Sequence, residues 1–302
     1  MTLASDVSGL PPKADRAFGL KLVGPALALL VVLLAFPTAL TVIYSLHDVP
    51  ANGASLGTFV GIENFEIVFS SPVFWRSAIV TLNFSIGFVI LSTVIGLAMA
   101  LLLNQKFIGR GLARAMLIIP WATPWLVIGI LWKWFADGSV GGLNAVLVMI
   151  GATTEYYDFL SDPNTAMPIT VLAAVWRQAS FAGILLLAGL QALPGELHEA
   201  ASLDGANVWQ RFIHITLPWL RPVLITVTVF NVIYAFLQFD VVFAMTQGGP
   251  GDTTQVMSIL IYRQLFVSTN IGLGSALAVI LGVVALIGGL ITVRLFYRKE
   301  SM

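Results

Sequence analysis

The sequence predicts an all-α membrane protein with six transmembrane helices and both termini on the cytoplasmic side. The chain of 302 residues is 58% hydrophobic and 10% charged, and its mean hydropathy is +0.93. Soluble domains carry about 25% charged residues, so this composition indicates a bilayer environment. Basic and acidic residues number 15 each, which leaves no electrostatic footprint for nucleic acid. Because cysteine is absent, thiolate metal sites and cysteine nucleophiles are excluded.

Six segments meet the requirement of about 20 mostly apolar residues for a spanning helix. They cover about residues 20–46, 79–103, 115–135, 169–193, 223–245 and 273–296. The first segment is too long for the core of a signal peptide, so we expect a retained helix. Residues 1–19 are predicted to form a cytoplasmic polar tail, residues 20–298 the membrane domain, and residues 299–302 the cytoplasmic C-terminal end.

The orientation follows from the basic residues, which gather in the connections on one side. Eleven of the 15 fall there: Lys13, Arg16, Lys21, Lys106, Arg110, Arg114, Arg211, Arg221, Arg294, Arg298 and Lys299. The positive-inside rule makes this side cytoplasmic. The connection between the fourth and fifth helices, a polar island between two apolar segments, therefore faces the cytoplasm.

Prolines predict bends in two of the helices. Pro25 and Pro37 lie in the first, and Pro120 and Pro124 in the third. Each proline removes a backbone donor, and lipid tolerates this only where other groups satisfy the freed carbonyls. The third helix also carries four tryptophans that we expect to be interfacial anchors rather than ligand platforms. They are Trp121, Trp125, Trp132 and Trp134.

Several kinds of chemistry are missing from the sequence. No lysine follows a glycine, so there is no phosphate-binding loop, and this polypeptide is not expected to hydrolyse nucleotide itself. His47, His198 and His214 have no metal-ligand spacing, and no metal site is predicted. The G-x-S-x-G hydrolase pattern occurs at residues 53–57, but no strand precedes it and we interpret it as coincidence.

The polar island has the signals of a helix–turn–helix. Acidic residues occupy the first turns of a helix over 194–203, where they complement the helix dipole, and Gly205 can adopt the left-handed backbone that ends it. Asn207 followed by Gln210 predicts a capping box at the start of a second helix. Glu199 would offer a carboxylate to a basic partner residue, and Ala200 and Ala201 would let that partner approach closely.

The island also resembles a known signature. The spacing E-A-A, three residues, G, nine residues, I-x-L-P is met from Glu199 to Pro218, and it is similar to the cytoplasmic-loop signature of bacterial ATP-binding-cassette (ABC) importer permeases. Further matches resemble the carbohydrate branch related to the maltose permease, and together they extend over about residues 20–298. They are Thr81-Leu82, Gly96-Leu97, Ala100–Asn104, Pro120–Ala122, Trp132, Trp134, Phe135, Phe239-Asp240 and Thr246–Gly251. The two extra N-terminal helices of the maltose permease are missing.

The resemblance implies a type I ABC importer bundle of six helices and a role for the island. Residues 194–218 would be the coupling loop, whose helix sits in a cleft of the ATPase subunit. The residues carried over as ATPase contacts are Glu199, Ala200, Ala201, Asp204 and Gly205. No cofactor is expected in this chain, since ATP and magnesium would be bound by the partner ATPase subunits.

Polar and aromatic groups at membrane depth indicate a solute pathway, because such groups are costly in lipid unless they face a cavity or a partner. The candidates on helices four and five are Trp176, Arg177, Gln178, Phe181, Asn231, Tyr234, Gln238 and Asp240. Asn231, Tyr234 and Gln238 have the spacing of a single helical face. Amides, a guanidinium and flat rings suit a polyhydroxylated ligand. Alternatively, Arg177 neutralises Asp240 or reaches the outer surface, and Tyr234 only packs between helices.

The sequence therefore predicts the permease subunit of a binding-protein-dependent sugar importer in the bacterial cytoplasmic (inner) membrane. Implied partners are a second homologous permease, two ATPase subunits and an extracytoplasmic solute-binding protein. The glycine-rich loop after helix five is a candidate contact for the binding protein or a gate, although a plain turn would also need its glycines: Gly248, Gly249, Pro250 and Gly251. The alternatives are an importer of glycerol-linked or polyol solutes, an ion-coupled secondary transporter, and an intramembrane hydrolase, which the lack of a buried catalytic pair disfavours.

Overall fold

The computed structural model describes residues 13–51, 53 and 55–297. Most of the predicted polar tail and all of residues 299–302 lie outside this part. The α-helices within it are α1 (Lys13–Leu30), α2 (Phe36–Ser45), α3 (Glu63–Ser70), α4 (Pro72–Asn104), α5 (Arg110–Ala122), α6 (Trp125–Phe135), α7 (Gly142–Met149), α8 (Pro163–Gln191), α9 (Gly195–Leu203), α10 (Val208–Arg211), α11 (Leu217–Phe236), α12 (Asp240–Met245), α13 (Met257–Tyr262) and α14 (Ile271–Tyr297). Short π-helical turns at Val31–Ala35, Phe212–Thr216 and Arg263–Val267 extend α1, α10 and α13.

Five described segments are long and apolar enough to cross a membrane singly: Lys21–Ser45, Pro72–Asn104, Pro163–Gln191, Val208–Phe236 and Ile271–Arg294. A sixth is formed by α5 and α6 together, which meet at a bend of 100°. The all-α, six-span prediction is confirmed in outline. The third span is not the single helix expected over 115–135, because Thr123, held extended before Pro124, interrupts it.

The fifth span also differs from its predicted limits of 223–245. It begins at Val208, inside the predicted coupling loop, and ends at Phe236, while residues 240–245 form the separate helix α12. The hydroxyl of Ser258 on α13 donates to the carbonyl of Gln238 at 2.6 Å. That carbonyl, at the point where α11 has ended, is therefore satisfied from another element.

The centre of the bundle is the close packing of α4 on α8. A Cβ built on Gly96 of α4 would lie 2.6 Å from Cβ of Ala182 on α8, so the two backbones approach as only small residues allow. Three buried apolar clusters surround this contact. One joins α4, α6, α8 and α12; another joins α4, α5, α8 and α11; the third joins α3, α4, α13 and α14.

The first span stands apart from the bundle. Its most apolar 18-residue stretch has no buried residue, and its second half, α2, contacts α14. Leucines and valines such as Leu22, Val32 and Leu33 are exposed along it. This chain therefore leaves one long apolar surface to be covered by lipid or by another subunit.

The G-x-S-x-G match lies in a hairpin, so the expectation that no strand precedes it is wrong. Strand β1 (His47–Asp48) pairs antiparallel with β2 (Thr58–Phe59), and residues 53–57 belong to the connection between them, in which Asn52 and Ala54 are outside the described residues. A nucleophile elbow needs a strand-to-helix turn, which this hairpin does not supply.

Candidate functional site

The coupling loop has the predicted helix–turn–helix shape. Helix α9 ends where the amide of Asp204 donates to the carbonyl of Ala200 at 3.0 Å and Gly205 takes a φ of +80°. The predicted capping box is present, since the Asn207 side chain accepts from the Gln210 amide at 2.9 Å and the Gln210 side chain accepts from the Asn207 amide at 2.8 Å. Local signals therefore place the turn between the two helices.

The surface of this loop is open. Glu199, Ala200, Asp204 and Gly205 are exposed and Ala201 is partly so. Large apolar side chains stand beside them and are also uncovered, with Leu203 90% and Trp209 67% exposed. Exposed apolar groups next to a free carboxylate are typical of a surface that another protein covers.

Helix α10 does not stop before the membrane, because it continues through the π-helical turn into α11 as one span. Pro218 comes just after the π-helical turn Phe212–Thr216, and the span continues through it without a break. A cavity of about 710 Å³ separates α10 from the adjacent ends of α4 and α8. The second helix of the coupling loop is thus continuous with α11, and the Trp219 indole, which donates to the Gly189 carbonyl at 3.1 Å, ties the start of α11 to α8.

The bend between α5 and α6 is held by Arg177 of α8. Its Nε donates to the carbonyl of Thr123 at 3.0 Å, and its guanidinium carbon lies 4.1 Å from the ring centre of Trp125. The bond satisfies a carbonyl at the break, and the cation–π contact fixes the first residue of α6. The alternative that Arg177 neutralises Asp240 is not seen among the described residues, where the ion pair present joins Arg263 and Asp252.

Five aromatic rings beside this arginine form what we call the aromatic face, built from α5, α6, α8 and α11. Neighbouring ring centres are 5.8–6.5 Å apart. The five are Trp121, Trp125, Phe181, Phe230 and Tyr234. Trp121, Phe230 and Tyr234 are each about two-fifths exposed (42%, 42% and 40%), so rings are available on the membrane-domain surface.

The predicted polar face of α11 is divided by the structure. Asn231 is fully buried, accepts from Gln178 at 2.7 Å and donates to Thr93 at 3.0 Å. Gln238 is also buried, but its Nε2 has no partner in the described part of the chain. Tyr234 points instead into the aromatic face. Asn231 and Tyr234 are only about 60° apart around α11, so they share the predicted face, but one is buried in a helix contact and the other is partly exposed among the rings.

The remaining candidates occupy the edges of this region. Trp176 is partly exposed and its ring lies 6.4 Å from that of Trp132. Asp240 begins α12, where its carboxylate complements the positive end of a short helix. The close approach of α12 to α6 at Gly129, where an added Cβ would be 2.6 Å from Cβ of Ala244, links Asp240 to the bent span.

The loop after α12, residues 246–256, is called the distal loop because it lies at the end of α11 away from the coupling loop. Its turn uses Gly248 at φ +94° and Gly251 at φ +54°. Thr254 donates to the carbonyl of Gly249 at 2.6 Å and shares a hydrogen bond of 2.7 Å with Thr246. Gln255 donates to Ser77 of α4 at 3.3 Å. The distal loop is therefore stabilised by hydrogen bonds within itself and by its bond to α4.

A family model described as the binding-protein-dependent transport system inner membrane component matches residues 92–299 of this chain. The chain belongs to this family. Among curated relatives of the permease is the trehalose/maltose transport system permease protein MalF of Thermococcus litoralis, 38% identical over 90% of this chain and 91% of the relative. Another is the sulfoquinovosyl glycerol transport system permease protein SmoG of Agrobacterium fabrum, 33% identical over 95% and 92%.

The fold of the permease is also found in a solved structure. A bacterial alginate ABC transporter, in complex with an alginate pentasaccharide-bound periplasmic protein, matches with a TM-score of 0.79 at 23% identity, over 93% of each chain. The family places the permease in the inner membrane as a translocation subunit of an ABC importer rather than an enzyme. The predictions of family, all-α importer permease fold and non-enzymatic role are confirmed, and the cytoplasmic side of the two termini stays a prediction.

Sequence reasoning missed part of the candidate site. Trp121 and Trp125 were expected to be interfacial anchors at the ends of the third span, yet they flank its break and belong to the aromatic face. Phe230 of α11 was not singled out. The sequence could have identified it, since Phe230 lies four residues before Tyr234 and so on nearly the same face of the helix.

Proposed function

We propose that this permease imports a carbohydrate. It would work with a second permease and two ATPase subunits, which bind ATP and magnesium, and would receive its solute from an extracytoplasmic binding protein. Two relatives are named for transport of trehalose and maltose and of a sulfoquinovosyl glycerol, and this supports the solute class.

The observation that carries the proposal is the aromatic face with Arg177 at its edge. Sugars present apolar faces that stack on rings and hydroxyl edges that need donors, and this surface offers both. Gln238 adds a buried amide whose donor is unused. Polar groups at membrane depth are expensive, and the Gln238 donor, unlike the amides of Gln178 and Asn231, has no structural contact that accounts for it.

Glycerol-linked solutes are the second candidate. The relative SmoG is named for transport of such a compound. The Arg177 guanidinium would pair with a sulfonate or phosphate group on a solute of this kind. Arg177 uses its Nε for Thr123, while its terminal nitrogens make no hydrogen bond with described residues. An anionic solute would therefore meet unused donors at the edge of the aromatic face.

The mechanism we propose is alternating access. Closure of the ATPase dimer would move α9 of each permease, and α10 with α11 would transmit this movement to the aromatic face. Glu199, Ala200, Ala201, Asp204 and Gly205 would form the contact with the ATPase. The distal loop, including Gly248 to Gly251, would contact the binding protein or act as a gate.

The test is solute uptake by the complete complex in proteoliposomes, with binding protein and a panel of trehalose, maltose, sulfoquinovosyl glycerol and sn-glycerol 3-phosphate. We expect uptake of a panel member that requires ATP and survives collapse of the ion gradients. Uptake that persists without ATP and stops when the ion gradient is removed would identify a secondary transporter and refute the importer. Uptake of the glycerol-linked compounds alone would select the second candidate.

A further inference from the structure

A second cavity lies at the end of the bundle away from the coupling loop, between α12, the distal loop and α13. Its volume is about 310 Å³, and the residues that matter here are Phe243, Thr246, Gln247, Tyr262 and Arg263. The span that separates it from the coupling loop has 29 residues, about 43 Å of helix. None of these residues is among the candidate pathway positions on α8 and α11.

Two residues that line this cavity, which we call the distal cavity, are aromatic, Phe243 and Tyr262, and further rings extend the series on either side. The rings of Phe239 and Phe243 are stacked 5.0 Å apart, Phe243 meets Tyr262 at 5.0 Å, and Tyr262 meets Phe266 at 5.3 Å. The series ends in open space, because Phe266 is 70% exposed. Two helices therefore present a continuous apolar platform beside the distal loop.

The opposite rim is polar and partly unused. The Tyr262 hydroxyl and the Gln247 side-chain amide have no hydrogen-bond partner among the described residues. Arg263 is held in place by Asp252 at 2.8 Å and donates to the Gln247 carbonyl at 3.2 Å. A platform with a fixed guanidinium, a free hydroxyl and a free amide is suited to a polyhydroxylated ring.

The distal cavity adjoins the candidate pathway through α13. Ser258, one helical turn before Tyr262, donates to the carbonyl of Gln238, whose own amide is buried and unused. Gln238 in turn lies one turn beyond Tyr234 of the aromatic face. Polar groups thus lead from the distal cavity towards the interior of the bundle.

We propose that the distal cavity is a loading subsite that holds one sugar ring after release from the binding protein and before the solute reaches the aromatic face. This inference rests on the proposed carbohydrate import. The volume lies at the lower end of the ~300–1,000 Å³ typical of ligand pockets, which suits a single ring. Tyr262 and Gln247 bond to hydroxyls at its edge, and Phe243 contacts its apolar face.

The variant that tests this is Tyr262→Phe, which removes the hydroxyl and keeps the ring. Uptake of the best-transported panel sugar is measured in proteoliposomes against the concentration of sugar-loaded binding protein. Losing one hydrogen bond of ~0.5–1.5 kcal/mol should raise the half-saturating concentration about twofold to tenfold. Gln247→Gly, which the positive φ of 52° at this position allows, should give a shift of the same direction. Tyr156→Phe, an exposed tyrosine far from the distal cavity in sequence, is the matched control and should give no shift.

A second measurement distinguishes contact with the sugar from contact with the binding protein. It is the rate of ATP hydrolysis as a function of the concentration of binding protein that carries no sugar. We expect it to be unchanged in Tyr262→Phe and Gln247→Gly. A shift of this curve equal to that of the uptake curve would assign the distal cavity to binding-protein docking and overturn the subsite. If the wild type imports a panel sugar and neither variant shifts the half-saturating concentration, the subsite is overturned and carbohydrate import stands. If the wild type imports no panel sugar, the carbohydrate proposal and the subsite fall together.

Discussion

At the residue scale, the buried amides of this permease differ in whether their hydrogen bonds are made. Gln178 donates to Asn231 and Asn231 donates to Thr93, so the three helices that carry them are tied in one polar contact. Gln238 is equally buried and its Nε2 is unpartnered. A buried polar group without a partner costs about 1–3 kcal/mol. The Nε2 of Gln238 is therefore a donor that makes no hydrogen bond in the described conformation.

Replacing Gln238 with leucine should separate stability from transport. We expect Gln238→Leu to keep or raise the thermal unfolding temperature of the detergent-solubilised complex, because an apolar side chain removes the unmet donor. Solute uptake should fall, because the donor is lost from the proposed pathway. Parallel measurements of unfolding temperature and proteoliposome uptake check both halves.

Gln178→Leu is the comparison, since it makes the same change of side chain where the amide is bonded. It leaves the Oδ1 of Asn231 buried without its donor and should destabilise the permease by about 1–3 kcal/mol. If Gln238→Leu were destabilising to the same extent, Gln238 would be a structural residue and its candidate role would be lost.

The sequence predicted residue-level features only where the partners are close along the chain. The capping box of Asn207 and Gln210 and the left-handed Gly205 were foreseen, because each depends on neighbours within a few residues. The burial of Asn231 was not foreseen, because Thr93, the acceptor to which its amide donates, is 138 positions away. Spacing alone reports which residues share a face and not which neighbour covers it.

At the element scale, the third span shows the same limit. Pro120 and Pro124 both predicted a bend, yet Pro120 lies inside α5 and only Pro124 marks the break. Pro124 holds Thr123 extended and so ends α5, and the surroundings stabilise the break, since Arg177 of α8 donates to the Thr123 carbonyl and stacks on Trp125. The sequence predicted the weak point, whereas the tertiary contact that holds the bend is not visible in it.

The contact of α4 and α8 gives an element-scale prediction. Gly96→Ala places a Cβ 2.6 Å from that of Ala182 and 3.0 Å from the carbonyl oxygen of Ala179. Because both neighbours belong to a packed helix, the helices must move apart, and overpacking of this kind costs about 1–3 kcal/mol. Thermal unfolding of the purified complex should show a lower midpoint.

Gly282→Ala on α14 is the matched control for this substitution. A Cβ there has no described atom within 4 Å, so only the higher helix propensity of alanine remains, and the unfolding midpoint should stay the same or rise. Equal midpoints for Gly96→Ala and Gly282→Ala would show that α4 and α8 are not as tightly packed as the structure has them.

At the scale of the whole molecule, two surfaces are left uncovered. The first span exposes its apolar side chains along its length, and the coupling loop exposes Leu203, Trp209 and Glu199. The bundle core between them is closed by three apolar clusters. The described bundle therefore has its own buried core and is open at the surfaces where an assembly would form.

Reversing the charge of Glu199 tests the coupling surface. In Glu199→Lys, import by the reconstituted complex should fall about tenfold or more, because a hydrogen bond between charged groups contributes ~1.5–3 kcal/mol. Membrane insertion should be unaffected, since the residue is exposed. Co-purification of the ATPase and ATP-driven uptake are the measurements.

Glu196→Lys makes the same charge reversal one turn earlier on α9 and is the control, as Glu196 is exposed and outside the E-A-A signature. It should retain import. If both variants lost import equally, the effect would come from the net charge of the loop, and the specific contact assigned to Glu199 would be wrong.

The unbroken helix from Val208 to Phe236 has a mechanical consequence. Two hydrogen bonds fasten it to α8: the Trp219 indole donates to the Gly189 carbonyl near the coupling loop, and Gln178 donates to Asn231 about 18 Å further along α11. A rod clamped at two points cannot pivot on its partner, so α8 and α11 would behave as one stiff beam. A push at the coupling loop would therefore reach the aromatic face as a movement of both helices together.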